Sequence, residues 1–101
     1  MTTYARVAWG RLKPDAWAEY EDLFTRLVVR RTADLPGLQR RLLLRSVDEP
    51  DEGISVSLWD DRDAVRSYRT GDLYRSELMP ALSHVFNNDW WAKEYELRFD
   101  G

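Results

Sequence analysis

The sequence predicts an α+β fold whose elements follow the order β-α-β-β-α-β and whose strands form one antiparallel sheet. Four segments alternate between apolar and polar residues, as strands with one buried face do. Two other regions repeat apolar residues every three or four positions, as amphipathic helices do, and turn-forming residues separate all of these segments. The chain has 101 residues, 44% hydrophobic and 33% charged, which predicts one folded domain over residues 1–101.

The first strand is followed by a long helix. Tyr4–Leu12 is rich in Val and aromatic residues, which is typical of a strand. Pro14 and Asp15 come next, and we expect Asp15 to cap the helix that follows. One apolar stripe of that helix is formed by Trp17, Tyr20, Phe24, Leu27 and Val28. Pro36 and Gly37 end the helix, because neither residue type continues one.

The second and third strands are predicted to form a hairpin. Leu38–Val47 alternates in the strand period, and Ile54–Trp59 does the same after the acidic turn Asp48–Gly53. The spacing of carboxylates in this turn is not that of a calcium-binding loop. We therefore interpret the turn as a solvated hairpin tip.

The second half of the chain repeats the pattern of helix and strand. Asp60 or Asp61 is expected to cap a short helix over Arg62–Arg69, which Gly71 ends. Asp72 is expected to cap the next helix, whose apolar residues are Leu73, Leu78, Leu82, Val85 and Phe86. Pro80 lies inside that helix and predicts a kink or two abutting helices.

The last strand completes a ferredoxin-like unit. Asn87–Asp89 is predicted to be a turn, and Trp90–Phe99 a strand with aromatic residues on one face. Helices cover one face of such a sheet, yet the predicted strands carry apolar residues on both faces. An exposed apolar face is typical of an interface, so we expect a homodimer whose sheets face each other. The alternative is a monomer whose aromatic side chains lie singly at strand edges.

Composition excludes several classes of protein. The chain has no Cys and one His, which excludes disulfide frameworks, zinc–thiolate centres and His-rich metal sites. A formal net charge of −3 gives no indication of nucleic-acid binding. Neither a signal peptide nor an apolar run of about 18 residues is present, so we expect no membrane partner and a cytoplasmic protein.

Several short motifs resemble the antibiotic-biosynthesis monooxygenase family. They are Leu35-Pro36-Gly37, Leu43-Leu44-Arg45, the run Ser57 to Ala64, Leu73-Tyr74-Arg75 and Met79-Pro80-Ala81-Leu82. The resemblance extends from Tyr4 to Phe99 and reflects the fold more than any chemistry. It implies a dimeric α+β barrel with a pocket in each subunit between the sheet and its helices.

The same resemblance implies an activity without a cofactor. Some members of the family oxidise phenolic or quinol-type intermediates of polyketide pathways with molecular oxygen and no metal, flavin or haem. A shared fold does not settle the reaction, because many functions share one fold. We therefore expect a small aromatic substrate and no cofactor.

The candidate substrate-binding residues are aromatic. Trp59 ends the third strand, where the resemblance implies a pocket Trp, and its indole offers an apolar wall and one donor. Tyr68 and Tyr74 flank Gly71 and could donate hydrogen bonds to ligand oxygens. The alternative for each of these residues is ordinary packing within the core.

Trp59, His84 and Arg75 are the candidate catalytic residues. His84 is the one side chain that ordinarily titrates near neutral pH, so it is the candidate base. Arg75 could stabilise a developing oxyanion. In the alternative, His84 is a surface or helix-capping residue and Arg75 a solvated partner of Asp72 or Glu77.

Two further cations stand out because they lie inside predicted strands. Arg6 and Arg41 are expected either to line the barrel or to pair with Glu94 or Glu96 across strands. The structural interpretation, an ion pair across the sheet, is preferred for both.

Three functions remain in contention from the sequence. The first is a cofactor-independent monooxygenase that oxidises an aromatic polyketide or quinol-type substrate. The second is an isomerase or cyclase on the same fold, because acid–base chemistry on an enolisable ring needs a similar pocket and base. The third is a dimeric ligand-binding module without catalysis. A requirement for oxygen separates the first from the second.

Overall fold

The computed structural model describes residues 2–101 and confirms the ferredoxin-like α+β fold. Its four strands are Tyr4–Leu12 (β1), Leu38–Arg45 (β2), Glu52–Trp59 (β3) and Phe86–Glu96 (β4). They form one antiparallel sheet in the order β2-β3-β1-β4. Three helical regions cover one face, namely residues 17–32 (α1), Arg62–Thr70 (α2) and residues 73–83 (α3). No helix in the described residues is long and apolar enough to cross a membrane.

Strand register places β1 at the centre of the sheet. Tyr4 pairs with Trp59 of β3 and with Glu96 of β4, and Arg6 pairs with Ser57 and Glu94. Side chains alternate between the two faces of a strand. Arg6 therefore shares its face of the sheet with both of its partners.

Both long helical regions contain a wide π-helical segment. In α1, the segment Phe24–Val29 lies between Trp17–Leu23 and Arg30–Thr32. In α3, Leu73–Leu78 precedes Met79–Ser83, and Pro80 lies just after the wide segment. Proline has no N–H to offer the carbonyl four residues earlier, which loosens the preceding turn. The kink expected at Pro80 is thus a local widening of one continuous helix.

The three predicted helix caps have three different outcomes. Ala16 occupies the N-cap position of α1 and makes no side-chain capping bond, while Asp15 adopts a positive φ of 61° before it. Asp72 does occupy the N-cap position of α3, but its side chain makes no capping hydrogen bond. Asp61 does cap α2, because its carboxylate accepts a hydrogen bond from the Ala64 N–H at 2.8 Å.

The turn predicted at Asn87–Asp89 is also wrong, because these residues lie within β4. The register of β1 with β4 shifts between Gly10 and Leu12: Gly10 pairs with Trp90, whereas Leu12 pairs with Phe86. The polar residues thus occupy an irregularity in the ladder, which increases local twist without ending the strand. The strand also ends at Glu96, three residues before the predicted end.

Aromatic rings fill the space between the sheet and the helices. The buried core contains Leu12, Trp17, Tyr20, Phe24, Val28, Trp59, Val65, Tyr68, Leu78 and Val85. Two rings lie directly against strand backbone at glycines. A Cβ atom on Gly10 would lie 2.6 Å from the Phe86 ring, and one on Gly53 would lie 2.7 Å from the Trp17 ring. These two positions have no room for a side chain.

Candidate active-site cavity

A cavity of about 140 Å³ lies between the helix-facing side of the sheet and helices α1 and α3. Its aromatic walls are formed by Tyr20, Phe24, Tyr68, Tyr74, Phe86 and Trp90. An apolar cavity of about this size encloses a molecule such as benzene. The enclosed space therefore suits one aromatic ring, and a larger polycycle would extend through the rim.

The floor of the cavity is a polar row that crosses three strands. Arg41 of β2 pairs with Ser57 of β3, and Ser57 in turn pairs with Arg6 of β1. All three residues line the cavity. Neighbouring strands lie about 4.8 Å apart, so the backbones of Arg6 and Arg41 are about 10 Å apart, with Ser57 between them. Two cationic side chains thus flank one hydroxyl group.

Arg6 is buried and is held by an aromatic side chain. Its Nη2 donates a hydrogen bond of 2.6 Å to the Tyr74 hydroxyl, and its guanidinium carbon lies 5.1 Å from the Tyr74 ring centre. Glu94 is its cross-strand neighbour but binds Arg69 at 3.2 Å and Arg62 at 3.5 Å instead. The expected ion pair between Arg6 and Glu94 is therefore not formed, because the Glu94 carboxylate binds the two arginines of α2 instead.

Arg41 lies at the opposite end of the floor. Its Nε donates to Thr32 Oγ1 at 3.1 Å, and its guanidinium carbon lies 5.5 Å from the Tyr68 ring centre. Its Nη2 is fully buried and has no hydrogen-bond partner in the described residues. Burying a polar nitrogen without a partner costs about 1–3 kcal/mol. The expected pairing of Arg41 with Glu94 or Glu96 is not formed, since no ion pair of residues 2–101 includes Arg41.

Two tyrosines of the cavity, Tyr20 and Tyr68, remain protonated at neutral pH. Burial raises the pKa of Tyr20 to about 12, and Tyr68 adds to that rise. Burial likewise raises the pKa of Tyr68, although the nearby Arg41 opposes the rise. The Tyr68 and Tyr74 rings contact each other edge to face, 5.0 Å apart. Both were predicted to bind substrate, and the structure brings them together at the cavity.

Trp59 lies beside the floor, two residues along β3 from Ser57 on the same face of the sheet, and does not line the cavity. Its side chain is completely buried, and its Nε1 donates a hydrogen bond of 2.8 Å to Ser57 Oγ. The Trp59 ring also packs on Tyr68 with centres 5.2 Å apart. The catalytic and substrate-binding roles predicted for Trp59 stay predictions, and its indole fixes the Ser57 hydroxyl, which does line the cavity.

His84 and Arg75 do not join this cluster. His84 is exposed, with its Nε2 3.6 Å from Glu19 Oε2, and it does not line the cavity. Arg75 is also exposed and lies outside the lining. The catalytic roles predicted for these two residues stay predictions, and the geometry gives them no contact with a ligand in the cavity.

The cavity lining carries cationic and hydroxyl donors and no carboxylate or imidazole among residues 2–101. Its lining contains two Arg, three Tyr, three Ser and one Asn but no His, Asp or Glu among residues 2–101. Likewise, no cluster of three acidic or His side chains that could hold a metal ion occurs in this part of the chain. An aromatic ring in the cavity would meet aromatic walls and positively charged donors.

The comparisons with known proteins agree with the fold. The family model described as antibiotic biosynthesis monooxygenase matches residues 3–76. A cofactor-independent oxygenase from Streptomyces nogalater, SnoaB, is 22% identical; the match covers 97% of this chain and 95% of that one, with a TM-score of 0.82. A conserved protein from Methanosarcina mazei is 20% identical over 94% of this chain and 92% of its own, with a TM-score of 0.81. No curated protein sequence matches the chain.

Proposed function

The chain belongs to the antibiotic biosynthesis monooxygenase family, and we propose that it is a cofactor-independent monooxygenase acting on a small phenolic or quinol-type aromatic substrate. The observation that carries this proposal is the aromatic cavity with its cationic floor. Aromatic walls favour a flat ring, and the floor supplies donors for its oxygen. The likeness to a cofactor-independent oxygenase supports the proposal as an analogy of fold.

The proposed oxidation balances with molecular oxygen alone. A phenol with a free ring position becomes a quinone when one oxygen atom of O₂ forms the second carbonyl group. The other oxygen atom leaves as water, together with the hydrogens of the hydroxyl group and of the ring carbon. The protein's part is to exclude bulk water, hold the ring and stabilise negative charge on the substrate oxygen.

We assign substrate binding to Tyr68 and Tyr74 and a positioning role to Trp59. The Tyr68 hydroxyl stays protonated and can donate to a ligand oxygen, and Tyr74 accepts from Arg6 while facing the same space. Trp59 acts through Ser57, whose hydroxyl it holds. These roles differ from a direct contact between the indole and the substrate.

Oxygen uptake tests the proposal. With a panel of one- and two-ring phenols, we expect one O₂ consumed for each quinone formed. Tyr68→Phe and Tyr74→Phe should lower the rate at least tenfold, whereas Arg40→Gln, at an exposed residue beside Arg41, should not change it.

Turnover under strict anaerobiosis would favour an isomerase or cyclase, and binding without turnover would favour a ligand-binding module. His84→Ala and Arg75→Ala test the two remaining predicted roles through kcat.

We also propose that the chain works as a homodimer whose sheets face each other. The support is the sheet face turned away from the helices, where Leu44, Trp91 and Tyr95 are 48%, 38% and 45% exposed. Isolated monomers rarely leave such an apolar face uncovered. This arrangement matches the α+β barrel that the family resemblance implies.

A further inference from the structure

The two arginines of the cavity floor have positive charge that no carboxylate in the described residues neutralises. No ion pair of residues 2–101 includes Arg6 or Arg41, although nine ion pairs occur elsewhere. Exposed arginines can remain unpaired at little cost because water solvates them. Arg6 is only 9% exposed, and the Nη2 atom of Arg41 is completely buried. Buried charges are ordinarily paired, so an anion is missing from this floor.

The side chains around the floor converge on one volume. From one end to the other, the order is Arg6, Tyr74, Tyr68 and Arg41. Successive separations between guanidinium carbons and ring centres, or between the two rings, are 5.1 Å, 5.0 Å and 5.5 Å. This continuous arc surrounds Ser57, which lies between the two arginines in the strand register. The arc thus places the two guanidinium groups at opposite ends of the cavity floor, with Ser57 and Tyr68 between them.

The Ser57 hydroxyl is oriented to donate. It is 3% exposed and accepts the Trp59 Nε1 hydrogen bond, which occupies one lone pair. No acceptor for its proton is found in the described residues. A hydroxyl group held in this way supplies a donor to a ligand oxygen lying above it.

The lining also contains no carboxylate or imidazole that could take the proton of a phenol. Residues of the types that serve as general bases, namely His, Asp and Glu, are absent from the cavity wall within residues 2–101. A neutral phenol bound here would leave the buried Arg41 nitrogen with a weak acceptor and both charges uncompensated. An ionised oxygen would give the buried Arg41 nitrogen a charged acceptor and would offset the positive charge of the floor. Hydrogen bonds with a charged partner are about twice as strong as neutral ones.

We propose that the cavity takes its aromatic ligand as the oxyanion, with the charged oxygen held between Arg6 and Arg41 above Ser57 and the proton released to water. This inference rests on the proposal that the cavity is the substrate site. It assigns the activation of a phenol to electrostatic stabilisation of phenolate rather than to a protein base. Phenolate is the electron-rich form that reacts with oxygen, so binding and activation coincide.

Ionisation of a bound phenol provides the test. The probe is 4-nitrophenol, a one-ring phenol whose anion absorbs at a longer wavelength than its neutral form. At a pH about one unit below the probe's own pKa, adding the wild-type protein should raise the anion band. We expect the pKa of the bound probe to fall by at least one unit, which corresponds to tenfold tighter binding of the anion.

Variants at neighbouring positions identify the groups responsible. Arg41→Gln should lower the ratio of anion affinity to neutral-phenol affinity at least tenfold. Arg41→Lys should lower this ratio less. Arg40→Gln is the matched control, because Arg40 lies next in sequence, is exposed and faces away from the cavity; it should leave the preference unchanged. Circular dichroism and thermal unfolding check that each variant is folded.

Two further comparisons decide the outcome. Nitrobenzene, which has no ionisable oxygen, should bind at least tenfold more weakly than 4-nitrophenolate. Tighter binding of 4-nitrobenzoate than of 4-nitrophenolate would support the oxyanion site but identify its anion as a carboxylate substituent. A probe that stays neutral when bound, equal binding of nitrobenzene, or no binding of any probe would overturn the inference.

The two proposals can fail separately. Nitrophenol binding needs no oxygen, so the anion band reports the oxyanion site whether or not the protein is an oxygenase. If the bound probe is ionised but no phenol causes oxygen uptake, only the proposed oxidation is contradicted. If a phenol causes oxygen uptake but the bound probe stays neutral, only the proposed oxyanion site is contradicted.

Discussion

Arg41 shows how one residue links stability to ligand binding. Its Nε is satisfied by Thr32, but its buried Nη2 has no partner, which costs the empty protein about 1–3 kcal/mol. Replacing a binding-site residue of this kind often stabilises a protein. Natural binding sites nevertheless retain such residues, because ligand binding needs them. The same nitrogen becomes favourable when an oxyanion fills the cavity. The stability deficit and the proposed binding energy thus come from one atom.

Tyr20 is expected to make the folded protein less stable as the pH rises into the alkaline range. Burial raises the pKa of its hydroxyl from 10.0 to about 12 in the folded state. Below pH 10, Tyr20 is protonated in both the folded and the unfolded chain, so its contribution is fully present. Between pH 10 and 12 the unfolded chain loses the proton first, which favours unfolding. We expect this residue alone to lower the free energy of unfolding by about 2 kcal/mol between pH 9 and 11.5.

Urea denaturation of the wild type and of Tyr20→Phe across this range measures the effect. The phenylalanine variant keeps the ring and loses the ionisable group, so its stability should fall less steeply as the pH rises. All other titrating groups are common to both proteins and cancel in the difference. Parallel pH profiles for the two proteins would show that the Tyr20 hydroxyl is not held in its protonated form by burial.

Some of the residues that line the cavity could be predicted from the sequence, and others could not. Tyr68 and Tyr74 lie on either side of a helix break at Gly71, a local feature that can be read without knowledge of the fold. Arg6 and Arg41 were noticeable as charges within strands, but their partners depend on strand register. Only the structure brings both against Ser57 and commits Glu94 to α2. Long-range pairing is the information that a single sequence lacks.

Among the elements, local patterns predicted periodic segments well and irregular ones poorly. The strand Tyr4–Leu12 and the start of α2 at Arg62 were correct to the residue. The polar run in β4 looked like a turn because Asn and Asp favour turns. In β2, a shift in the ladder between Leu38 and Arg40 turns Leu38 toward the core, although strict alternation placed it with Arg40. Bulges preserve a strand while breaking its period.

Strand β3 gives an element-scale prediction at Gly53. A Cβ at this position would lie 2.7 Å from the Trp17 ring and 3.3 Å from the Leu44 carbonyl oxygen. The ring is packed in the core and cannot move away freely, so we expect Gly53→Ala to destabilise the protein by about 1–3 kcal/mol. The midpoint of urea denaturation measures this loss.

Ser55→Ala is the matched control, because Ser55 lies two residues along the same strand and on the same face. It lines the cavity, where a methyl group has space, so its effect on stability should stay below about 0.5 kcal/mol. Equal effects of the two substitutions would mean that the Trp17 ring does not depend on close approach to the Gly53 backbone.

At the scale of the whole molecule, the sheet has two faces with different tasks. The helix-facing side carries the core and the cationic floor of the cavity. The opposite side carries Trp9 stacked on Trp91, with ring centres 6.3 Å apart, beside aliphatic residues of β2 and β3. A small domain buries only about two-thirds of the surface of its unfolded chain. The many aromatic rings of this chain are therefore divided between a cavity and an uncovered face.

The uncovered face provides the prediction that belongs to the whole molecule. Val56 lies at its centre, paired with Val7 of β1 and Leu42 of β2. In a face-to-face dimer, Val56→Glu would bury a charge without a partner, so we expect a monomer in sedimentation equilibrium at concentrations where the wild type is a dimer. Val47→Glu is the control: Val47 is 96% exposed beyond the end of β2, and its substitution should leave the dimer intact. A wild-type monomer, or a Val56→Glu dimer as stable as the wild type, would contradict the proposed arrangement of sheets, because Val56 lies at the centre of the face that the two sheets would bury.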